Sequence, residues 1–118
     1  YPTLTDLCGL DPPDNLEGKS LKPLLEDPAS VVKRAAFTQH PRPAYTDPGE
    51  DPDVMGYSIR TDRFRYTEWR KFESEEVVAL ELYDHHVDPQ ETVNVEGEEG
   101  REETVRQLAL RLRAGMGL

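Results

Sequence analysis

The pattern of apolar and polar positions is most regular in the middle of the chain, between Val54 and Lys71. There Tyr57, Ile59 and Thr61 alternate with polar neighbours, which is the two-residue period of a strand buried on one face. The alternation breaks at a turn and then resumes, so this segment predicts a β-hairpin whose second strand is Phe64–Trp69. Two further strands are predicted on either side of the hairpin: Ala35–Gln39 and Val77–Tyr83.

A helical period follows the strands, from Arg101 to Ala114. Its apolar residues form one stripe, which consists of Val105, Leu108, Ala109 and Leu112. Acidic residues occupy the first turn and arginines the last, as the helix dipole favours, and Gly115 is the expected stop. Consecutive strands followed by this helix predict an α+β fold: a small antiparallel sheet of about four strands with a C-terminal amphipathic helix packed on one face.

The first thirty residues have a different pattern, with two short helical segments and a proline-rich connection. Tyr1–Gly9 resembles the end of a helix, and Ser20 is the expected N-cap of a second short helix. The apolar faces of these helices consist of Leu4, Leu7 and Cys8 and of Leu21, Leu24 and Leu25. They need a covering surface, so we expect residues 1–30 to be poorly ordered in isolation and residues 31–118 to form a compact subdomain.

The composition argues against two classes of partner. The 118 residues are 36% hydrophobic and 32% charged, with a formal net charge of −10. Because an acidic chain is repelled by phosphate backbones and anionic lipids, we expect no nucleic acid and no membrane as partner. No apolar run approaches the ~20 residues that cross a bilayer.

Few residues are arranged for catalysis. No serine lies in a Gly-x-Ser-x-Gly elbow, and we expect Cys8 to pack as a small apolar residue, so no catalytic residue is assigned. Asp84, His86 and Asp88 could share one face of a strand and hold a metal ion. Aspartates that cap the turn are the better interpretation, and no metal ligand is assigned.

Two basic segments are candidates for contact with an anionic ligand. Five basic residues between positions 60 and 71 face only two acidic ones; this strip either guides an anionic substrate or forms cross-strand ion pairs, and ion pairs are favoured. In His40-Pro41-Arg42-Pro43, the prolines stiffen a loop around Arg42. Because a planar guanidinium suits sulfate and carboxylate oxygens, His40 and Arg42 are the candidate substrate-binding residues. The alternative is that Arg42 binds a carboxylate of its own domain.

Three parts of the chain resemble the sulfatase family of the alkaline-phosphatase superfamily. The stretch from Tyr1 to Leu21 resembles the end of the large catalytic domain of these enzymes. Glu81-Leu82-Tyr83-Asp84, followed by Asp88-Pro89-Gln90-Glu91 and Asn94, resembles the C-terminal signature of the family. The His40–Pro43 segment and the hairpin from Met55 to Trp69 are similar to the C-terminal region of iduronate-2-sulfatases and their bacterial relatives.

This resemblance implies a role within a longer enzyme. Sulfatases hydrolyse sulfate esters with a formylglycine made in a Cys/Ser-x-Pro-x-Arg motif and with a calcium ion that binds the sulfate. Cys8 is followed by Gly9-Leu10-Asp11, which does not fit that motif. The resemblance therefore implies that this chain alone is inactive and carries no cofactor. Calcium and formylglycine are then expected in the full-length enzyme, upstream of Tyr1.

The resemblance also implies partners and a division of the chain. Residues 1–30 would be the tail end of the catalytic domain and a linker, and residues 31–118 the C-terminal sulfatase subdomain. This subdomain is expected to dock on its own N-terminal catalytic domain and to help shape the pocket for a sulfated sugar, in a parent enzyme that is exported to the periplasm or the extracellular space. The alternative is a non-catalytic binding or interaction module that retains the fold.

Overall fold

The computed structural model describes all 118 residues, which form two compact units, Tyr1–Arg34 and Ala35–Leu118. The first unit contains two short helices, α1 (Pro2–Leu7) and α2 (Lys22–Glu26). Both lie where helical spacing predicts them. Helices of five or six residues gain too few backbone hydrogen bonds to offset the cost of their first turn, so their stability depends on other contacts.

Polar contacts connect the two short helices. Asp6 accepts hydrogen bonds from Ser20 Oγ at 2.7 Å and from Lys22 Nζ at 3.2 Å, and Thr3 Oγ1 accepts one from the Leu21 backbone N–H. The N-cap of α2 is Leu21 and not Ser20 as predicted. Ser20 lies one residue before the N-cap. Its hydroxyl donates to Asp6 and accepts the backbone N–H of Lys22, the first residue of α2.

The second unit is an antiparallel sheet followed by a helix, which confirms the predicted α+β fold. The strands are β1 (Ala36–Arg42), β2 (Val54–Arg60), β3 (Phe64–Lys71) and β4 (Val77–Asp84), and the helix is α3 (Glu102–Met116). Each strand pairs with the next along the chain, in the order β1-β2-β3-β4. None of the three helices of the protein is long and apolar enough to cross a membrane.

The core lies between α3 and one face of the sheet. Ile59, Tyr66 and Leu82 stand opposite one another in neighbouring strands, so their side chains emerge on the same face. They pack against the stripe predicted for the helix, whose buried members are Leu108, Ala109 and Leu112. Each fully buried large side chain of this kind contributes on the order of 2 kcal/mol, so this cluster is the main apolar stabilisation of the second unit.

The helix ends later than predicted. It continues through Gly115 to Met116, and Gly117 is the C-cap in the left-handed conformation at φ 72°. Gly115 serves another purpose: a Cβ there would lie 2.4 Å from the ring of Phe37 in β1. The missing side chain lets an aromatic ring of the edge strand pack directly on the helix backbone.

Strand β1 also extends further than predicted. The segment His40-Pro41-Arg42, predicted as a stiff loop, is the end of the strand, with His40 opposite Gly56 and Arg42 opposite Val54. Because β1 is an edge strand, Pro41 can occupy it without removing a hydrogen bond from the interior of the sheet. His40 and Arg42 are thus two residues apart in a strand and project from the same face.

A buried carboxylate fastens α3 to the sheet. Glu68 is inaccessible to solvent and accepts hydrogen bonds from Arg70 at 2.6 Å and from the Tyr66 hydroxyl and Arg113, each at 3.0 Å. Burial and the adjacent Glu68 carboxylate raise the pKa of Tyr66 above its usual range. A buried charge is tolerated only when it is paired and hydrogen-bonded, and three donors satisfy that condition here.

The segment that resembles the sulfatase signature closes the far end of the sheet. Asp84 is buried and accepts two hydrogen bonds from Arg63 and a further contact from Arg101, the residue before α3. The Asn94 side chain extends the ladder of β4: its oxygen accepts the Leu82 N–H and its amide donates to the Leu80 carbonyl. These signature residues therefore join the end of β4 to the start of the helix.

The apolar surface of the first unit generates a prediction about its order. Leu4, Leu7 and Leu25 are 66%, 51% and 68% exposed, so little apolar burial holds the unit together. In hydrogen exchange of the 118-residue chain, we expect the amides of residues 1–30 to exchange orders of magnitude faster than those of β3. Protection in α1 equal to that in β3 would contradict this prediction.

The Asp84 cluster generates a prediction about pH. Arg63, which donates two hydrogen bonds to Asp84, lowers the pKa of this carboxyl to about 2, against about 3.9 in an unfolded chain. Because the folded pKa is the lower one, the stabilisation is complete above about pH 4 and is lost as the pH falls towards 2. Asp84→Asn should lower the free energy of unfolding at pH 7 by about 2 kcal/mol.

The measurement is the melting temperature of both proteins between pH 7 and pH 2. The two curves should converge in acid, because Asp84 of the unsubstituted chain then becomes protonated as well. Asp62→Asn, in the exposed turn between β2 and β3, is the control and should leave the curve unchanged. Curves of unsubstituted and Asp84→Asn proteins that stay parallel down to pH 2 would show that this carboxylate has no such role.

Candidate substrate-contact site

The sheet face opposite α3 carries two large aromatic side chains, Tyr83 of β4 and Trp69 of β3, and the candidate site lies around Trp69. The neighbours of Trp69 across the strands are small: Gly56 in β2 and Ala79 in β4. The six-membered ring lies over Gly56 so closely that a Cβ there would be 2.7 Å from Cζ3. The indole N–H donates to Glu81 of β4 at 3.0 Å, and the side chain is only 5% exposed. The ring is therefore held at both ends.

Both predicted substrate-binding residues contact this ring. The guanidinium carbon of Arg42 lies 4.1 Å from a Trp69 ring centroid, which is cation–π distance. The imidazole of His40 meets Trp69 edge-on, with centroids 4.9 Å apart and planes at 88°. The sequence analysis singled out His40 and Arg42 for a stiff backbone, but the geometry that holds them comes from the strand and from Trp69.

Arg42 has no acidic partner within the chain. It is exposed, and it takes part in none of the ion pairs or side-chain hydrogen bonds of the structure. The alternative that Arg42 binds a carboxylate of its own domain therefore has no support in this fold. The guanidinium carbon lies over the indole ring, and its N–H groups have no side-chain acceptor within the chain, so they are available to two oxygens of one anion.

The basic strip of residues 60–71 is mostly neutralised by ion pairs, in agreement with the favoured interpretation. Four of its five cations have carboxylate partners, which are Asp84 for Arg63, Glu91 for Arg65, Glu68 for Arg70 and Glu76 for Lys71. The nitrogen–oxygen distances run from 2.6 to 3.0 Å. This strip thus connects strands and turns and leaves little free positive charge to attract an anion.

The fifth cation, Arg60, contacts a histidine. Its Nη2 lies 2.9 Å from Nδ1 of His85, and Nε2 of His85 lies 2.6 Å from Glu91. Because a guanidinium only donates, Nδ1 must accept and Nε2 must carry the proton that is donated to Glu91. His85 is therefore a hydrogen-bonded link between β2 and the loop after β4, and Arg60 retains one buried nitrogen, Nη1, without a partner.

The chain contains no formylglycine motif, which the sulfatase resemblance assigns to the catalytic domain. No group of three or more His, Cys, Asp or Glu side chains is placed to hold a metal ion. Asp88, considered as a metal ligand, accepts the backbone N–H groups of Thr92 and Val93, and these bonds lower its pKa. Cys8 is exposed, so the prediction that it packs in an apolar face is wrong, and Leu10 stands where the formylglycine motif requires proline.

Two residues of the candidate site could not be predicted from the sequence, Trp69 and its counterpart Gly56. A glycine inside a strand often marks the close approach of another group, and Gly56 lies in the middle of the best alternating segment. That signal becomes specific only with the register, which places Gly56 between His40 and Trp69. Register depends on turn geometry and tertiary packing, which residue spacing alone does not supply.

Comparison with known proteins places almost the whole chain in one family. The family model described as "N-sulphoglucosamine sulphohydrolase, C-terminal" matches residues 1–116. Arylsulfatase K of Xenopus laevis is 30% identical over 99 residues, which cover 83% of this chain and 18% of that protein. Human iduronate 2-sulfatase is 34% identical over 106 residues, covering 67% of this chain and 19% of that protein.

A solved structure agrees with these relatives. A protein in complex with its substrate D-glucosamine-2-N,6-O-disulfate superposes with a TM-score of 0.71 and 30% identity, covering 96% of this chain and 22% of that one. The chain thus spans about a fifth of the length of the proteins it matches. The matched regions include the sheet, the helix and the signature segment that closes them. This chain belongs to the sulfatase family, as a C-terminal region of the N-sulphoglucosamine sulphohydrolase type.

Proposed function

We propose that this chain is the C-terminal subdomain of a sulfuric ester hydrolase that acts on sulfated sugars, of the iduronate-2-sulfatase type. Family membership over residues 1–116 is the observation that carries the proposal. Two related proteins support the substrate class: one is an iduronate 2-sulfatase, and another was solved with a disulfated glucosamine. The sugar of the parent enzyme is therefore expected to carry sulfate and to belong to a glycosaminoglycan.

In this proposal, the parent divides its work between two parts. The chain spans about a fifth of its relatives and contains neither a metal cluster nor the formylglycine motif. The nucleophile and the calcium site are thus assigned to the N-terminal catalytic domain, which is the main partner of this chain. Residues 1–30 would complete that domain, and residues 31–118 would pack on it as the C-terminal subdomain.

The contribution of the subdomain to the substrate pocket is assigned to the end of β1. Arg42 is exposed, stacked on Trp69 and free of any carboxylate, and His40 lies beside it on the same face. Most other cations of this part of the sheet are neutralised by carboxylates. If the strand end faces the pocket, it offers one cation and one imidazole to a sulfated or carboxylated sugar.

Activity of the full-length parent and of the isolated chain tests this proposal. We expect the parent to release sulfate from a 2-O-sulfated iduronate disaccharide or from D-glucosamine-2-N,6-O-disulfate, and to lose this activity when calcium is chelated. The 118-residue chain should release none, with or without calcium, because it has neither the formylglycine motif nor a cluster of side chains that could hold a metal ion. Sulfate release would be measured by ion chromatography.

Two results would contradict the proposal, and they have different meanings. Sulfate release by the isolated chain above the level of a buffer control would mean that the chain itself carries a catalytic centre. A folded parent without sulfatase activity on either sugar would instead favour the alternative, a binding module that retains the sulfatase C-terminal fold.

A further inference from the structure

We propose that Trp69 is a positioning residue, which holds the guanidinium of Arg42 over its ring at the end of β1 so that the guanidinium N–H groups bind an oxyanion of the substrate. The oxyanion is a sulfate or carboxylate group of the sugar. The inference rests on the proposed function for the identity of this ligand. The role of the indole rests on its contacts with the three other strands of the sheet.

The position of the indole is determined from both sides. Gly56 leaves the space that the ring occupies, and Glu81 binds the indole N–H from the opposite strand. At 5% exposure, Trp69 cannot itself stack on a sugar. It can affect a ligand through the two side chains of β1 that contact its ring, Arg42 and His40.

Stacking on Trp69 restricts Arg42 without consuming its hydrogen bonds. An exposed arginine normally samples many rotamers, and much of that freedom is lost when it binds an anion. The Arg42 guanidinium already lies 4.1 Å from the Trp69 ring centroid, so part of this rotamer freedom is lost before the anion binds. Its N–H groups lie in the guanidinium plane and have no side-chain acceptor within the chain, so they are available to an oxyanion.

The surrounding cations make Arg42 distinct on this face of the sheet. Arg65 is paired with Glu91, Lys71 with Glu76, and Arg60 contacts His85. Arg42 has a cation–π contact with Trp69 but no ion pair, although the chain has 24 acidic residues. A charged donor that is held in place and left without an acceptor favours a ligand from outside the chain.

His40 extends the site along the strand. It projects from the same face as Arg42, and two residues of a strand span roughly 7 Å. That distance matches the separation of substituents on one sugar ring or on two adjacent rings. Arg42 is therefore expected to bind the charged group and His40 a neighbouring oxygen.

Calorimetric binding to the full-length parent tests the inference independently of turnover. The parent would carry alanine at the formylglycine precursor, so that it binds but does not hydrolyse. The probes are a 2-O-sulfated iduronate disaccharide and D-glucosamine-2-N,6-O-disulfate. Arg42→Ala should raise the Kd for at least one probe by about 10- to 100-fold, as expected for a lost charge-assisted hydrogen bond. Arg106→Ala, an exposed arginine of α3, is the matched control and should leave the Kd unchanged.

Two further variants test the positioning role. Arg42→Lys keeps the charge but removes the planar fork, and should weaken binding by about tenfold. Trp69→Phe keeps an aromatic ring but removes the hydrogen bond to Glu81, and should weaken binding by roughly three- to tenfold. In the Arg42→Ala background, Trp69→Phe should weaken binding less than it does when Arg42 is present, because the ring acts mainly through Arg42 and only its contact with His40 is left.

The outcomes separate the inference from the proposed function. Arg42-dependent binding in a parent without sulfatase activity would support the inference and contradict the proposed function. The inference is overturned by equal Kd values for Arg42→Lys and the unsubstituted protein, even if Trp69→Phe does not fold. It is overturned as well by equal losses from Trp69→Phe with and without Arg42, or by a parent that binds neither probe.

Discussion

The candidate site depends on how one indole lies across the sheet of the second unit. Trp69 belongs to β3, covers Gly56 of β2, binds Glu81 of β4 and contacts His40 and Arg42 of β1. This one side chain therefore contacts all three of the other strands. The constraint is steric, because the ring can lie flat only where the facing residue has no side chain, and any Cβ at Gly56 would collide with it.

The two faces of the sheet have different tasks. On the helix side, an apolar row packs on α3, and the buried Glu68 binds Arg70 and Arg113. On the opposite side, polar and aromatic side chains are held by one another, as in the 2.6 Å hydrogen bond between Ser58 and Thr67. A rigid helix-backed sheet can hold surface side chains in fixed positions, which residues on a mobile loop do not achieve as well.

Sequence reasoning predicted the elements better than the contacts between them. The alternation around Ile59 and the stripe through Leu108 identified the hairpin, the helix and the faces that meet in the core. The predicted end of β1 was wrong because the prolines indicated a loop, whereas an edge strand tolerates Pro41. The prediction that Gly115 ends the helix was wrong, because the absence of a side chain there makes room for Phe37. Both errors concern glycine or proline, whose effect depends on which element lies opposite.

The candidate site shows the same limit. His40 and Arg42 were identified from residue type and backbone stiffness, but their support, Trp69, is 27 positions from Arg42 and is related to it only by register. The signature residues Asp84 and Asn94 are explained by scaffold contacts alone. The resemblance to sulfatases identified the family, while the fold shows that Arg42 is a cation of this sheet face without an ion-pair partner in the chain.

The most direct measurement is a crystal structure of the full-length parent with a bound sulfated disaccharide. The account predicts a sulfate or carboxylate oxygen of the sugar within about 3 Å of an Arg42 guanidinium nitrogen, with the guanidinium still stacked on Trp69. An Arg42 that instead pairs with a carboxylate of the catalytic domain, far from the sugar, would contradict it.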